Sequence, residues 1–275
     1  MLGTKDSISA CLVVYNEEMV IERCLKSIAG FVNEIIIVHD GKCTDKTLEI
    51  AQKYTDKIFI REHAGMMETH LVFAFNQAKG EWLLRIDADE FLSPEDFPKI
   101  KESMLSNETD ALILNWEMWN GKKTIYFPGL QKMCFMRRGH FHYCGIPHEN
   151  GVVDGEVKKI NVYLHHRPVY SNVAWTSFWR KSKKWIPVHA SYFFPEQTKF
   201  ECFNDLAEDW IRQARQVRQH LAYYRFGEPF RMSLGQLRND LWRHNVGWKL
   251  GMQRFVYFYW LYSLVTKMEK KLIKA

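Results

Sequence analysis

The stretch Gly80-Glu81-Trp82-Leu83-Leu84-Arg85-Ile86-Asp87-Ala88-Asp89-Glu90 decides the reading of this chain. Trp82 to Ile86 has the short apolar make-up of a buried strand, and it runs directly into two aspartates and a glutamate. Carboxylates two positions apart at a strand end can point the same way and share one cation. Their hard oxygens suit Mg²⁺ or Mn²⁺, with a diphosphate completing the shell. A bare Asp-x-Asp is common, however, and solvated turn residues or a helix cap explain most instances. The segments before it give this one its weight.

Working back, strand-like and helix-like patterns alternate with short joints, as in βαβ units with a mainly parallel sheet. Ile8 to Val14 reads as the first strand. Asn16 is placed to cap a following helix with Glu17 and Glu18 in its first turn, Ile21, Cys24, Leu25 and Ile28 on its apolar face, and Gly30 at its end. Glu34 to Val38 is the second strand and leads to Asp40. Thr44 can cap the next helix; Lys57 to Ile60 is a third strand, and Glu68 to Ala78 another helix. Ligands of open α/β sheets bind beyond the carboxyl ends of parallel strands. Asn16, Glu17, Asp40 and Asp87 to Glu90 should therefore converge.

Working forward, Ala111 to Met118 and Gln131 to Arg137 read as strands, with a turn at Asn120 and Gly121, which suggests antiparallel additions. Beyond about residue 170 the pattern is helical: Phe203, Leu206, Trp210, Ala214, Val217 and Leu221 recur at three and four. The division expected is residues 1–170 for an α/β domain with its ligand site at the strand ends and 171–275 for a helical extension.

Three ordered segments now resemble one known family: CLVVYNEEMVIERCLKSI, EIIIVHDGKCTDKTLEIA and AKGEWLLRIDADEFLS. They are similar to the family-2 glycosyltransferases of the GT-A fold, in particular the bacterial branch that builds lipopolysaccharide core and related surface glycans. The likeness is close over residues 7 to 100 and looser to about 170, through GLQKMCFMRRGHFHYCGIPHENG and YLHHRP.

The resemblance implies a Rossmann-like, mainly parallel sheet and a nucleotide-diphosphate sugar donor, with a UDP sugar as default. It implies that Asn16, Glu17 and Asp40 hold base and ribose, and that Asp87 and Asp89 form the DxD motif, Asp89 closer to the metal. A later His often supplies a further ligand; His165 or His166 is the candidate, with His165 preferred. Where relatives carry Arg or Lys to meet phosphate this chain has His70, and Lys42 stands where Gly is usual. Arg85, Arg137 and Arg138 are further phosphate candidates, although surface salt bridges explain such residues too. Inversion, also implied by the resemblance alone, needs a base for the acceptor hydroxyl. Glu149 of the His148-Glu149 pair is the first candidate and Asp209 of Glu208-Asp209 the second, against a plain reading of Asp209 as an exposed acid on an arginine-rich helix.

Breaking the sugar–phosphate bond puts charge on the departing diphosphate, which a metal and nearby cations would stabilise. Water in place of the acceptor would make the chain a nucleotide-sugar phosphohydrolase; loss of chemistry would make it a transferase-like scaffold.

Bulk properties bound these readings. The formal charge is +6, its surplus mainly in Trp179 to Trp185 and Lys267 to Lys274. Such runs favour an acidic partner or are simply solvated. A nucleic-acid binder is the non-enzymatic alternative, and the acidic strand ends argue against it. The rings of Phe255 to Tyr262 followed by lysines suit a helix lying in a membrane interface, or equally a core helix. Cysteines 11, 24, 43, 134, 144 and 202 show neither CxxC pairs nor disulfide-framework spacing, so reduced thiols in the cytoplasm are expected. The longest apolar runs are too short to span a bilayer, which leaves peripheral association with the cytoplasmic face of the inner membrane.

Overall fold

The computed structural model describes residues 6–106, 108–223, 227–242, 245 and 247–274, with side chains to residue 272; the side chain of Lys274 falls outside this set. The elements run β1 (Ile8–Val14), α1 (Ile21–Ile28), β2 (Glu34–Asp40), α2 (Thr47–Ala51), β3 (Ile58–Arg61), α3 (Glu68–Gln77), β4 (Trp82–Arg85) and β5 (Glu90–Phe91). After a short 3-10 turn come α4 (Phe97–Leu105), β6 (Ala111–Trp116), β7 (Met118–Trp119), β8 (Thr124–Ile125), β9 (Gln131–Arg137), β10 (Phe141–Cys144), β11 (Val152–Val153) and β12 (Val157–His166). The rest is α5 (Trp175–Tyr192), β13 (Cys202–Phe203), α6 (Ala207–Tyr223), α7 (Glu228–Trp242) and α8 (Trp248–Lys274).

Eight strands form one sheet in the order β3-β2-β1-β4-β9-β6-β12-β5. β1 pairs in parallel with β2 and β4, β2 with β3, and β6 with β12. β9 is antiparallel to both β4 and β6. The chain leaves β1 for β2 and β3 on one side and returns to β4 on the other, so the topological switch point lies between β1 and β4. Crevices open at such points.

β1 explains why the sheet is central. Its residues alternate between two buried faces: Ile8, Ala10, Leu12 and Val14 join a core with α1 and α4, whereas Cys11 and Val13 join one with α3. The apolar stripe Ile21, Cys24, Leu25 and Ile28 of α1 is wholly buried. Gly80 lets the start of β4 come close to β1, because a Cβ there would lie 2.8 Å from the Ser9 nitrogen.

Two expected caps are corrected. α1 begins at Ile21 after Val20, and Asn16 instead adopts φ 54° in the preceding turn, where its Oδ1 accepts the Thr44 N–H at 2.9 Å. α2 begins after Lys46, and Asp45, not Thr44, accepts the Thr47 N–H at 2.9 Å.

α5, α6 and α8 share a third core with Cys144 and Ile146, built on Ile186, Ala190, Trp210, Ala214, Leu221, Tyr257, Leu261 and Val265. Most rings of α8 thus face protein. Cys144 and Cys202, opposite each other on β10 and β13, form a disulfide, where the spacing had pointed to reduced thiols. Among the described residues no helix is long and apolar enough to cross a membrane.

Candidate functional site

The ends of β1, β2 and β4 carry the polar residues that the sequence singles out. Asp40 closes β2 and is buried. Its carboxylate accepts the N–H groups of Ala64 at 2.6 Å and Gly65 at 3.0 Å, and pairs with His70 Nε2 at 2.9 Å and His63 Nδ1 at 3.1 Å. Burial alone would raise its pKa, but the His70 bond, the Ala64 N–H and the two imidazoles outweigh this and hold it below the usual value. His70 is itself buried against Asp40, so it orders that carboxylate and does not stand in for a phosphate-facing arginine. Beside this cradle opens a cavity of about 750 Å³, lined in part by Arg61, Ala64, His70, Tyr192 and Phe200.

After β1, the Glu17 N–H donates to Thr47 Oγ1 at 2.6 Å. The Glu17 carboxyl is pushed up to about 7, by burial first and then by the charges of Asp89 and Asp87, so it shares their space. At the end of β4, Lys132 Nζ bonds Asp87 Oδ2 at 2.8 Å and both oxygens of the wholly buried Glu90 at 2.7 and 2.9 Å. Burial and the Asp87 charge push Glu90 up to about 7 even so. Asp87 Oδ1 is buried with no hydrogen-bond partner.

Alternation along β12 sends its last two imidazoles to opposite sides. His166 Nε2 lies 3.2 Å from Asp89 Oδ2, and its ring stacks on Trp116 at 4.8 Å. His165 instead faces Glu117 at 3.1 Å and Ser93 Oγ at 3.0 Å. The preference for His165 is therefore corrected to His166 as the imidazole beside Asp89.

Glu149 follows β10, exposed at the surface yet surrounded by enough protein that burial raises its pKa. Tyr143 feels the charges of both Arg85 and Glu149, and the Arg85 guanidinium sits 5.9 Å over its ring. Asp209 lies in the first turn of α6, half-exposed and paired with Arg212 on its own helix. This placement matches the plain reading of Asp209 as an exposed acid on an arginine-rich helix.

With this arrangement known, residues 9–155 match the family model described as glycosyl transferase family 2. The chain belongs to glycosyl transferase family 2. It is 36% identical over 106 residues to an uncharacterised glycosyltransferase of Rickettsia bellii, which covers 38% of this chain and 35% of that one. It is also 28% identical to the Staphylococcus aureus poly(ribitol-phosphate) beta-N-acetylglucosaminyltransferase TarS, over 42% of this chain and 22% of TarS. The matches thus span about a third or less of these relatives. The structure of TarS residues 1–349 with UDP aligns over 96% of this chain and 91% of its own at 15% identity, with a TM-score of 0.46.

Family-2 membership raises the question of a divalent cation. The orphaned Asp87 Oδ1 and the Asp89 carboxylate are hard oxygen donors that fit Mg²⁺ or Mn²⁺. The fit of His166 is poorer. Asn172 Oδ1 accepts the Trp119 N–H at 2.8 Å, which fixes that amide so that its Nδ2 donates to His166 Nδ1 at 2.9 Å. A neutral His166 then carries its proton on Nε2 and gives it to Asp89, whereas a ligand would need that lone pair free. Among the described residues, no group of three His, Cys, Asp or Glu is preassembled for a metal.

Three cations of this family-2 chain complete the picture, two of them missed in the sequence. Because β9 runs antiparallel to β4, its start, not its end, reaches the carboxyl end of β4. Lys132 is thereby at the site, and Arg137 is at the far end on Glu81 and Asp110, at 3.3 and 3.2 Å. Arg138 is exposed beside it. Lys181, inside the basic run of α5, turns inward over the rings of Tyr170 at 4.4 Å and Trp185 at 5.1 Å. Burial lowers its pKa, against the attraction of Asp89, Glu17 and Asp87. Arg85, a cation the sequence did propose, closes β4 with its guanidinium 5.9 Å over the Tyr143 ring and its Nε lacking a hydrogen-bond partner.

Proposed function

We propose that this chain is a metal-dependent, inverting glycosyltransferase. It moves a sugar from a nucleotide-diphosphate donor, with a UDP sugar as default, to a glycan or lipid-linked acceptor in cell-surface polysaccharide or lipopolysaccharide synthesis. The observation that carries this reading is the surplus of acid at the switch point, where Glu17, Asp87, Asp89 and Glu90 outnumber the single lysine bonded among them.

On this reading Asp87 and Asp89 would hold Mn²⁺ or Mg²⁺, which when bound supplies positive charge to the diphosphate oxygens. His166 positions Asp89. Glu149 accepts the proton of the acceptor hydroxyl, and the burial that raises its pKa makes it a stronger base than a solvated carboxylate. The acceptor oxygen forms its bond to the anomeric carbon on the face opposite the diphosphate. The carbon–oxygen bond to phosphate breaks and its electron pair leaves with the nucleoside diphosphate. Lys181 and Arg85, which no carboxylate among the described residues holds in a direct ion pair, meet that charge. Asn16, Glu17 and Asp40 are assigned to base and ribose.

The TarS similarity supports a surface-polymer acceptor, since that relative is named for sugar transfer to poly(ribitol phosphate). The division at residue 170, with the helical part meeting acceptor or membrane, belongs to the same proposal. Exposed Trp242 and Trp248, with the lysines at the end of α8, support peripheral attachment to the cytoplasmic face of the inner membrane.

A thermal-shift screen of UDP, GDP, TDP and CMP with and without Mn²⁺ tests the site, because a ligand of the folded state must raise its stability. One nucleotide should shift wild type in a metal-dependent way and fail to shift Asp89→Ala. No shift with any nucleotide would sink the reading in favour of an inactive scaffold. Donor cleavage indifferent to every acceptor would favour the phosphohydrolase.

A further inference from the structure

A second cavity, of about 470 Å³, opens on the later half of the sheet, between β6, β12 and the segment around β8. That volume lies within the roughly 300–1,000 Å³ of small-molecule sites. Its origin is visible in the strand register. Lys159 pairs with Ile113 and Tyr163 with Asn115, so Ile160, Asn161 and Val162 face Leu114 alone. Such a bulge interrupts the ladder and re-aims side chains.

What the bulge presents is specific. The exposed rings of Tyr126 and Tyr163 stand edge to face, 5.4 Å apart, at the cavity's lining. Opposite chemistry comes from two amides, Asn115 Nδ2 donating to Asn161 Oδ1 at a weak 3.3 Å, and from Lys159. Trp116, also in the lining, has a buried Nε1–H with no acceptor.

Apolar ring faces beside uncharged amides match a pyranose, which has a C–H face and a girdle of hydroxyls. An acyl chain would strip water from both amides and the lysine without replacing its hydrogen bonds. A polyanion would find one cation, and a cationic ligand no carboxylate.

The cavity also adjoins the candidate active site through shared residues. The Trp116 ring stacks on His166, which contacts Asp89. Tyr126 lies close enough to Glu117 for that carboxylate to raise its pKa, and Glu117 binds Arg167 at 2.6 Å and faces His165 at 3.1 Å.

We propose that this cavity is a subsite for a neutral sugar residue of the acceptor glycan, one wall away from the donor site. The acceptor role rests on the transferase reading above; the binding of a neutral sugar does not. Tyr163 and Asn161 are both exposed and outside the catalytic set, so their replacement tests the subsite without touching the chemistry.

The experiment is saturation-transfer NMR on the whole chain with cellobiose, maltose, lactose and diacetylchitobiose, for wild type, Tyr163→Ala and Asn161→Leu. The UDP thermal shift is measured in parallel. At least one disaccharide should bind wild type, and its affinity should fall at least about tenfold in each variant, the scale of losing one ring or amide contact, with the UDP shift unchanged. No disaccharide bound by a wild type that still binds UDP would overturn the subsite, as would sugar binding unchanged in both variants. Sugar binding lost in the variants of a protein that binds no nucleotide would keep the subsite and discard the transferase reading.

Discussion

Asp40 closes one and Asp87 follows the other of two strands that flank β1 in one sheet, yet their surroundings are finished to different degrees. Asp40 is saturated by two backbone N–H groups and two imidazoles. At the end of β4, Asp87 keeps a buried oxygen without a partner, and Glu17 and Glu90 are driven up to about 7. A completed hydrogen-bond shell contributes to stability. An incomplete one with surplus like charge costs stability and is retained where a ligand completes it. The first place is therefore a finished support beside the position proposed for base and ribose, and the second is the place proposed for chemistry.

The sharpest break of this contrast is Asp89→Asn. If the β4 end is the reaction centre, turnover measured well below the melting temperature should fall on the order of 10²–10³-fold, as when a single charge-stabilising group is lost. The melting temperature also drops, because the burial that would raise the Asp89 pKa is outweighed by the His166 bond, which holds the carboxyl below its usual value. A variant that melts early and keeps its turnover would reverse the assignment of roles.

Asp40→Asn should show in stability first. Losing a charged acceptor of several bonds should cost about 1–3 kcal/mol, a few degrees in a chain of this size. The sign with pH follows from its depressed pKa. The stabilisation is present above the unfolded carboxyl pKa and is lost as pH falls through the folded one, so the two melting curves should converge in acid. Parallel curves down to the lowest pH would mean that the Asp40 charge is not what its cradle binds.

How much of this was legible depended on which rule each residue obeys. Ile8 to Val14 and Gln131 to Arg137 are strands at the bounds their patterns gave, because burial dictates composition there. The acidic strand ends follow from parallel βαβ order. Lys132 and Arg137 stand in one strand, and only its antiparallel direction, set by pairing between distant segments, decides which of them reaches the site. The adjacent His165 and His166 could be told apart only by the parity of β12. Lys181 sits in a run that reads as surface charge, and its inward turn depends on where α5 lies against the sheet. Cys144 and Cys202 are 58 residues apart, and no local pattern announces that pairing.

The smallest effect is the most discriminating, because it reads the acid surplus directly. Burial and the charges of Asp89 and Asp87 raise the Glu17 pKa to about 7, above its ordinary value. A raised carboxyl pKa means that the folded state binds the proton more tightly than the unfolded chain. Its penalty is therefore present in full above pH 7 and is relieved as pH falls from about 7 towards the unfolded carboxyl range near 4.3. In buffer freed of metal by chelator, Glu17→Gln should melt above wild type at pH 8 and approach it at pH 5, since glutamine resembles the protonated acid. Added Mn²⁺ should narrow the gap at pH 8, because a cation held by Asp87 and Asp89 would offset the same repulsion. A gap that ignores both pH and Mn²⁺ would place the cost in Glu17 packing and remove the surplus charge from the account of the site.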